Sequence, residues 1–173
     1  MPYRILFVCT ANICRSPTAE LLARHRFGED RTLVRSAGFL RAGEPSPALL
    51  IQALGEHGID GSHHRSHTVD VPSLKAADLV LTMEGEHVQQ ATLLHREAFA
   101  KIMPLTEAAA TLRAGGPMTP EALVAAVNVD RNPTSYLSTD WDVADPYNRK
   151  LKDYRSAVTE IAGLVGEVFA RLA

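Results

Sequence analysis

The start of the chain places a predicted buried strand directly before a polar loop and a helix. Residues 5–8 form a continuous apolar run (ILFV), which is typical of a strand covered on both faces. The run ends at Cys9. Ser16 and Pro17 favour the start of a helix, which Gly28 is placed to end. A strand, a short loop and a helix in this order predict the first unit of a wound, parallel α/β sheet.

The rest of the chain continues this alternation of strands and helices. Further strands are predicted at residues 32–35, 78–82 and 101–105, with helices at 47–56 and 84–99. One apolar stripe with alternating three- and four-residue steps is formed by Leu151, Tyr154, Val158, Ile161, Val165, Val168 and Leu172. The stripe predicts a long final helix packed on the sheet, with a coiled-coil seam for a partner as the alternative.

The composition is typical of one soluble domain, predicted to span residues 1–173. The chain is 46% hydrophobic and 22% charged, which excludes disordered and collagen-like classes. Its 18 basic and 20 acidic residues provide no excess positive charge for binding nucleic acid or a membrane surface. Without a signal peptide or a membrane-spanning run, we expect a cytoplasmic protein, with secretion without a signal peptide as the alternative.

Residues 106–140 differ from the rest of the chain and are predicted to be an insertion. Glycines and prolines interrupt this segment at Gly115, Gly116, Pro117, Pro120 and Pro133. Within it, residues 119–126 predict a capped short helix. A loop of this length either has a function, such as substrate recognition, or is a surface insertion that the fold tolerates.

The loop between the first strand and the first helix carries the residues best suited to chemistry. Ligands bind at the carboxyl ends of strands in such sheets, and amide groups at a helix start form an anion site. Arg15 adds a planar set of donors that matches a phosphate group. A positive environment of this kind stabilises a thiolate, which makes Cys9 a candidate nucleophile. The alternative is a small buried cysteine and an unrelated surface arginine.

Residues 8–17 (VCTANICRSP) resemble the signature of low-molecular-weight protein tyrosine phosphatases. Residues 36–38 (SAG), 58–64 (GIDGSHH) and 145–147 (DPY) follow in the order of that family. The resemblance covers nearly the whole chain outside residues 106–140. It implies an α/β fold, a single-domain three-layer wound sheet with four parallel strands flanked by helices.

The resemblance also implies a mechanism for these positions. Cys9 would attack the phosphorus of an aryl phosphate, and Arg15 would hold its oxygens together with the loop amides. Asp145, favoured over Asp140 and Asp142, would protonate the leaving phenol and then activate water. Ser16 would donate a hydrogen bond to the sulfur. The implied phosphate-binding residues are Thr10, Ala11, Asn12, Ile13, Cys14 and Arg15.

Further residues are implied to shape the loop and the cleft. Those expected to hold the loop are Asn12, Ser36 and either His63 or His64, and those expected at the cleft wall are Phe39 and Tyr147. The family often has glycine where this chain has Ala11, which puts the loop geometry in question. Cys14 is interpreted either as an inert core residue or as a partner of Cys9 in a reversible disulfide.

Alternative functions remain open at this point. Arsenate reduction on the same scaffold would need an external thiol, because the chain has two cysteines and no further relay. A non-catalytic phosphate-binding or redox-sensing module is the third alternative. No metal or other cofactor is expected, since the histidines at 63, 64 and 67 lack suitable partner ligands. The expected partner is a phosphotyrosine protein or a small aryl phosphate, bound by a monomer or weak dimer.

Overall fold

Four parallel strands form the sheet of the computed structural model, which describes residues 3–28 and 32–172. The strands are β1 (Tyr3–Cys9), β2 (Thr32–Gly38), β3 (Leu79–Thr82) and β4 (Ile102–Pro104). Their order is β2-β1-β3-β4. Cys9 pairs with Gly38, and Val8 pairs with Thr82. The register therefore brings the carboxyl ends of β1, β2 and β3 to one edge of the sheet.

Helices cover both faces of the sheet, as predicted for a three-layer α/β fold. They are α1 (Arg15–Phe27), α2 (Ala48–Gly55), α3 (Val71–Ala76), α4 (Gly85–Leu94), α5 (Leu105–Gly115), α6 (Pro120–Asn128) and α7 (Leu151–Arg171), with 3₁₀ turns at Arg96–Lys101 and Pro133–Leu137. Because side chains alternate along a strand, Ile5 and Phe7 enter one core while Leu6 and Val8 enter the other. Within the described ranges, no helix is long and apolar enough to cross a bilayer.

The predicted final helix is confirmed and packs inside the molecule. Helix α7 contacts α1, α2 and α5. Its stripe residues Val158, Ile161 and Val165 are buried in the same core as Ile5 and Phe7. This packing uses the apolar stripe, so the stripe does not form the exposed seam that a coiled coil would need.

Two local expectations are wrong at the ends of helices, and one helix was not predicted. Helix α1 begins at Arg15, and the hydroxyl of Ser16 does not cap it. The helix predicted over residues 84–99 ends at Leu94, because His95 takes an extended conformation with φ of -151°. Helix α3 was not predicted, although Asp70 and Ser73 form a reciprocal capping box at its start.

The segment predicted as a long insertion is largely helical. Helix α5 buries Leu105, Ala108 and Leu112 in the main core, so its first part belongs to the body of the domain. Helix α6 begins as predicted, with the Thr119 side chain accepting a hydrogen bond from the Ala122 amide. The remaining loop is therefore much shorter than the sequence indicated.

Arg131 fixes the end of this segment to the edge of the sheet. Its guanidinium lies 3.9 Å from the centre of the Phe99 ring. It donates hydrogen bonds to the Phe99 carbonyl at 2.6 Å and the Tyr136 hydroxyl at 2.9 Å, and another to the Ile102 carbonyl. The Tyr136 hydroxyl donates in turn to Glu107 at 2.8 Å. One cation thus joins the segment to β4 and α5.

Candidate active site

The loop after β1 is shaped by a buried asparagine in the left-handed backbone region. Asn12 has φ of 55°, a conformation that asparagine tolerates better than most residues. Its side-chain nitrogen, Nδ2, donates hydrogen bonds to the hydroxyls of Ser16 and Ser36, each at 2.8 Å. Its side-chain oxygen accepts from the His67 amide at 2.8 Å. Ala11 does not take a positive φ, so a methyl group there does not strain the loop.

The Cys9 sulfur is buried and receives hydrogen bonds from two sides. The Ser16 hydroxyl lies 3.0 Å from Sγ, and the backbone amide of Asn12 donates a hydrogen bond to Sγ at 3.3 Å. Because the Asn12 side chain already donates to the Ser16 oxygen, the hydroxyl proton of Ser16 points to one of two acceptors, the sulfur or the Ala37 carbonyl at 3.4 Å. The sulfur is the nearer of the two. Donors in these positions can stabilise negative charge on a sulfur atom.

Arg15 lies almost fully buried beside this loop, with 1% of its surface exposed. One terminal nitrogen donates to the Val143 carbonyl at 2.9 Å and to the Glu84 carboxylate. The other donates to Asp145 at 2.9 Å. Burial alone would lower the pKa of Arg15, but the charges of Asp145, Cys9 and Glu84 raise it above its ordinary value. The guanidinium therefore stays charged.

Of the three aspartates considered from the sequence, the structure brings Asp145 to Arg15. Its second carboxylate oxygen accepts from the Tyr147 amide at 3.1 Å. Asp142 instead accepts from the Gly85 amide at 3.0 Å and so anchors the loop to the start of α4. Asp140 pairs locally with Ser138. The carboxylate that reaches the cysteine loop is thus the one that the resemblance favoured.

A cleft of about 590 Å³ opens above the cysteine loop. Its lining consists of Cys9, Thr10, Ala11, Ile13, Cys14, Arg15, Leu40, Arg41, Glu44, Pro45, Ser46, Pro47, Asp145 and Tyr147. Tyr147 lies at the wall as expected. Phe39 does not, because its ring stacks on His87 with 5.8 Å between ring centres, and Leu40 takes the wall position instead. None of residues 106–140 lines the cleft.

The glycine at the end of β2 permits the close approach of the loop. A Cβ atom on Gly38 would lie 2.6 Å from the Asn12 nitrogen and 2.9 Å from the Thr10 carbonyl oxygen. Backbone atoms cannot move aside as a flexible side chain can. Residues 36–38 (SAG) therefore contribute twice to the loop: Ser36 accepts a hydrogen bond from Asn12, and Gly38 allows the close backbone contact.

Comparison with known proteins identifies the family of this chain. A family model described as low molecular weight phosphotyrosine protein phosphatase matches residues 4–114. The chain belongs to this family. A solved low molecular weight protein tyrosine phosphatase from T. tengcongensis is 28% identical, with a TM-score of 0.74, and the match covers 98% of this chain and 99% of that one.

Two further relatives carry different names. A protein-arginine-phosphatase of Geobacillus stearothermophilus is 30% identical, and the match covers 99% of this chain and 97% of that protein. An arsenate reductase of Staphylococcus xylosus is 44% identical over 79 residues, which cover 46% of this chain and 58% of that protein.

One of the two candidate histidines supports the loop of this family member. His64 Nε2 donates to the Asn12 carbonyl at 2.7 Å, and burial lowers the pKa of His64 below its ordinary value. The alternative, His63, does not support the loop, because its side chain is 91% exposed and lies 3.4 Å from Asp60. Among the described residues, no three His, Cys, Asp or Glu side chains converge as metal ligands would.

Sequence reasoning missed three charged or polar side chains of the phosphatase site. Glu84 follows β3 and pairs with Arg15. His87, on α4, lies 2.9 Å from the Thr10 hydroxyl. Glu20, on α1, accepts from Ser36 and pairs with Arg24 at 2.9 Å. The position of Glu84 at the carboxyl end of a strand was the one signal that could have identified it.

Cys14 differs sharply from Cys9 although both thiols are free and buried. Burial, followed by the nearby charges of Asp145 and Cys9, raises the pKa of Cys14 to about 12. A thiol with that pKa is protonated at neutral pH and a poor nucleophile. Of the two cysteines, Cys9 has the surroundings that suit a nucleophile.

Proposed function

We propose that this protein hydrolyses phosphotyrosine or a similar aryl phosphate through a cysteinyl-phosphate intermediate on Cys9. The observation that carries the proposal is the meeting of Cys9, Arg15 and Asp145 at one cleft. A nucleophile, a fixed cation and a proton donor are the three groups that this reaction needs.

In the first step, the Cys9 sulfur forms a bond to phosphorus while the bond from phosphorus to the phenolic oxygen breaks. The phosphoryl oxygens take the place of Asp145 on Arg15, and Asp145 in its protonated form gives its proton to the phenolic oxygen. Arg15 and the loop amides stabilise the charge on the three remaining phosphoryl oxygens. Since Arg15 is already held by Glu84 and the Val143 carbonyl, little reorientation is needed when this charge develops.

In the second step, water attacks phosphorus and the bond from sulfur to phosphorus breaks. Asp145 now accepts the proton of the water, which restores its starting state. The Ser16 hydroxyl, 3.0 Å from the sulfur, donates a hydrogen bond to the leaving thiolate. The Asn12 side chain holds Ser16 in position for this contact.

The cleft wall favours an aromatic leaving group. Ile13, Leu40, Pro47 and Tyr147 place apolar or aromatic surface beside the loop. Phosphoarginine is a second candidate substrate, because the arginine phosphatase relative matches nearly the whole chain. Asp145 would protonate the arginine nitrogen in the same way as its bond to phosphorus breaks.

We also propose that the reaction occurs in the cytoplasm, where a free Cys9 stays reduced. The protein would act as a monomer or weak dimer. The support for this is that the nucleophile, Arg15 and Asp145 all come from one chain, so the proposed reaction needs no residue of a second copy.

The test is hydrolysis of para-nitrophenyl phosphate with EDTA present, by wild type, Cys9→Ser and Asp145→Ala. We expect turnover by wild type, its abolition in Cys9→Ser, and a loss of about 10²- to 10⁴-fold in Asp145→Ala. A phosphotyrosine peptide, phosphoarginine, and arsenate with an external thiol then distinguish the substrate classes. No turnover of either phosphorylated substrate by folded, reduced wild type would contradict the proposal.

A further inference from the structure

The mechanism above leaves the side chain of Thr10 without a role. Thr10 is exposed at the cleft, directly after the nucleophile. Its hydroxyl oxygen nevertheless has two protein neighbours, His87 Nε2 at 2.9 Å and an Arg15 nitrogen that donates at 3.4 Å. The direction of the hydroxyl proton therefore depends on whether His87 Nε2 donates a hydrogen bond to this oxygen or accepts one from it.

His87 is held in one orientation beneath the loop. It is 1% exposed, and its ring stacks on Phe39. A Glu84 oxygen lies 3.7 Å from Nε2. Burial and the charge of Arg15 lower the pKa of His87 to about 4, while Asp142 and Asp145 act weakly in the opposite direction. The imidazole is therefore neutral near pH 7 and carries one proton.

The hydrogen-bond pattern indicates which ring nitrogen carries that proton. Nδ1 is buried and has no hydrogen-bond partner in the described part of the chain. A proton on Nδ1 would leave a buried N–H without an acceptor, whereas a proton on Nε2 leaves only an unused lone pair. Buried N–H groups without a partner are rare and costly. The Nε2–H tautomer, which donates to Thr10, follows from this comparison.

With that tautomer, the Thr10 oxygen accepts from His87 and Arg15, and its own proton has to point elsewhere. We propose that the Thr10 hydroxyl donates a hydrogen bond to a phosphoryl oxygen of the substrate, and that His87 is a positioning residue that orients it. This inference rests on the proposed function. It adds a side-chain donor to the backbone amides and Arg15.

Phosphate binding measured by calorimetry at pH 7 tests the proposal without relying on turnover. Thr10→Val keeps the shape of the side chain but removes the donor. We expect it to weaken binding of inorganic phosphate, and to lower kcat/KM for para-nitrophenyl phosphate, by about ten- to a hundredfold. Thr10→Ser should restore most of both. Thr92→Val, whose hydroxyl bonds only within α4 at Val88, is the matched control and should change neither.

His87 variants and nitrogen NMR test the positioning role. His87→Phe should weaken phosphate binding, and His87→Gln, which can donate from a similar place, should restore most of it. In the His87→Phe, Thr10→Val double variant, the loss should not exceed that of Thr10→Val alone. The ¹⁵N shifts of His87 should report the Nε2–H tautomer.

The proposal is overturned if folded Thr10→Val binds phosphate as tightly as wild type, or if His87 carries its proton on Nδ1. Additive losses in the double variant would overturn the positioning role of His87. If wild type binds phosphate but does not hydrolyse aryl phosphates, the proposed function fails. The calorimetric comparison at Thr10 still decides this inference in that case.

Discussion

Asn12 shows how one side chain can hold both the loop and its catalytic neighbours. Its positive φ turns the chain, and its amide group bonds Ser16, Ser36 and the His67 backbone. No polar atom of this buried amide is left without a partner, so its burial carries little desolvation penalty. The geometry around the Cys9 sulfur therefore depends on a residue that does not itself line the cleft.

The stability of the protein should fall on acidification, partly because of His87. Its pKa is about 4 in the folded protein and 6.5 as the ordinary value. Between these values the unfolded chain binds the proton more readily, so the free energy of unfolding decreases as pH falls from about 6.5 to 4. The loss from this residue is about 3 kcal/mol at most.

Urea unfolding of wild type and His87→Gln between pH 7.5 and 4 measures this contribution. The variant should show a clearly smaller decrease in stability over this range. Part of the decrease should remain, because the pKa of His64 is also lowered by burial. Equal pH dependence in the two proteins would contradict the assignment of a buried, neutral His87.

Single residues of the site were predictable where a local pattern carried them. Cys9 and Arg15 lie within one loop, and Asp145 precedes a proline near the final helix. Glu84 follows β3 and His87 lies on α4, and they are 69 and 77 residues away from the residues that they contact. Such contacts depend on strand pairing and helix placement, which the local pattern does not specify. The prediction that Phe39 forms part of the cleft wall was wrong for the same reason, because its ring packs on His87 from α4.

At the scale of elements, the approach of β2 to the cysteine loop depends on Gly38. Gly38→Ala should push the Asn12 backbone away, because the new methyl group would lie 2.6 Å from its nitrogen. We expect a loss of stability of about 1–3 kcal/mol and a large drop in kcat for para-nitrophenyl phosphate.

Gly55→Ala is the matched control for this substitution. Gly55 lies in α2, and a Cβ there meets nothing within 4 Å. Alanine should leave kcat unchanged and stabilise the helix slightly. Normal kcat in Gly38→Ala would show that the loop does not need this close contact.

The helical segment between β4 and the loop that carries Asp145 should be stabilised by Arg131 in addition to its buried apolar residues. Arg131→Ala removes the contact with the Phe99 ring and the hydrogen bonds to backbone carbonyls. We expect a loss of about 2–4 kcal/mol in urea unfolding, with kcat nearly unchanged because Arg131 lies outside the cleft.

Arg131→Lys keeps the charge but not the planar fork of donors, and should recover less than half of this stability. Wild-type stability in Arg131→Ala would contradict the role of this cation. The sequence did not reveal this connection, because Gly115, Gly116 and the prolines indicated a loop. Gly115 is the last residue of α5 and Pro120 the first residue of α6, so they bound the two helices rather than prevent them.

For the whole molecule, alternating apolar runs and helical stripes were enough to predict a wound, parallel α/β sheet, and the family resemblance implied its four strands and three layers. The strand order β2-β1-β3-β4 was not predicted from the residues, because apolar runs identify strands without specifying their neighbours. That order matters for function. It places the carboxyl ends of β1, β2 and β3 side by side. Cys9, Gly38 and Glu84, which lie at or just after these ends, are therefore close to one another.

The covalent intermediate is the most direct test of the central claim. Asp145→Ala is mixed with para-nitrophenyl phosphate, quenched in denaturant at successive times, digested and analysed by mass spectrometry. We predict phosphate attached to Cys9, formed together with a burst of para-nitrophenol, and no adduct in Cys9→Ala. Steady turnover by Cys9→Ala, or phosphate found on a different residue, would contradict the account.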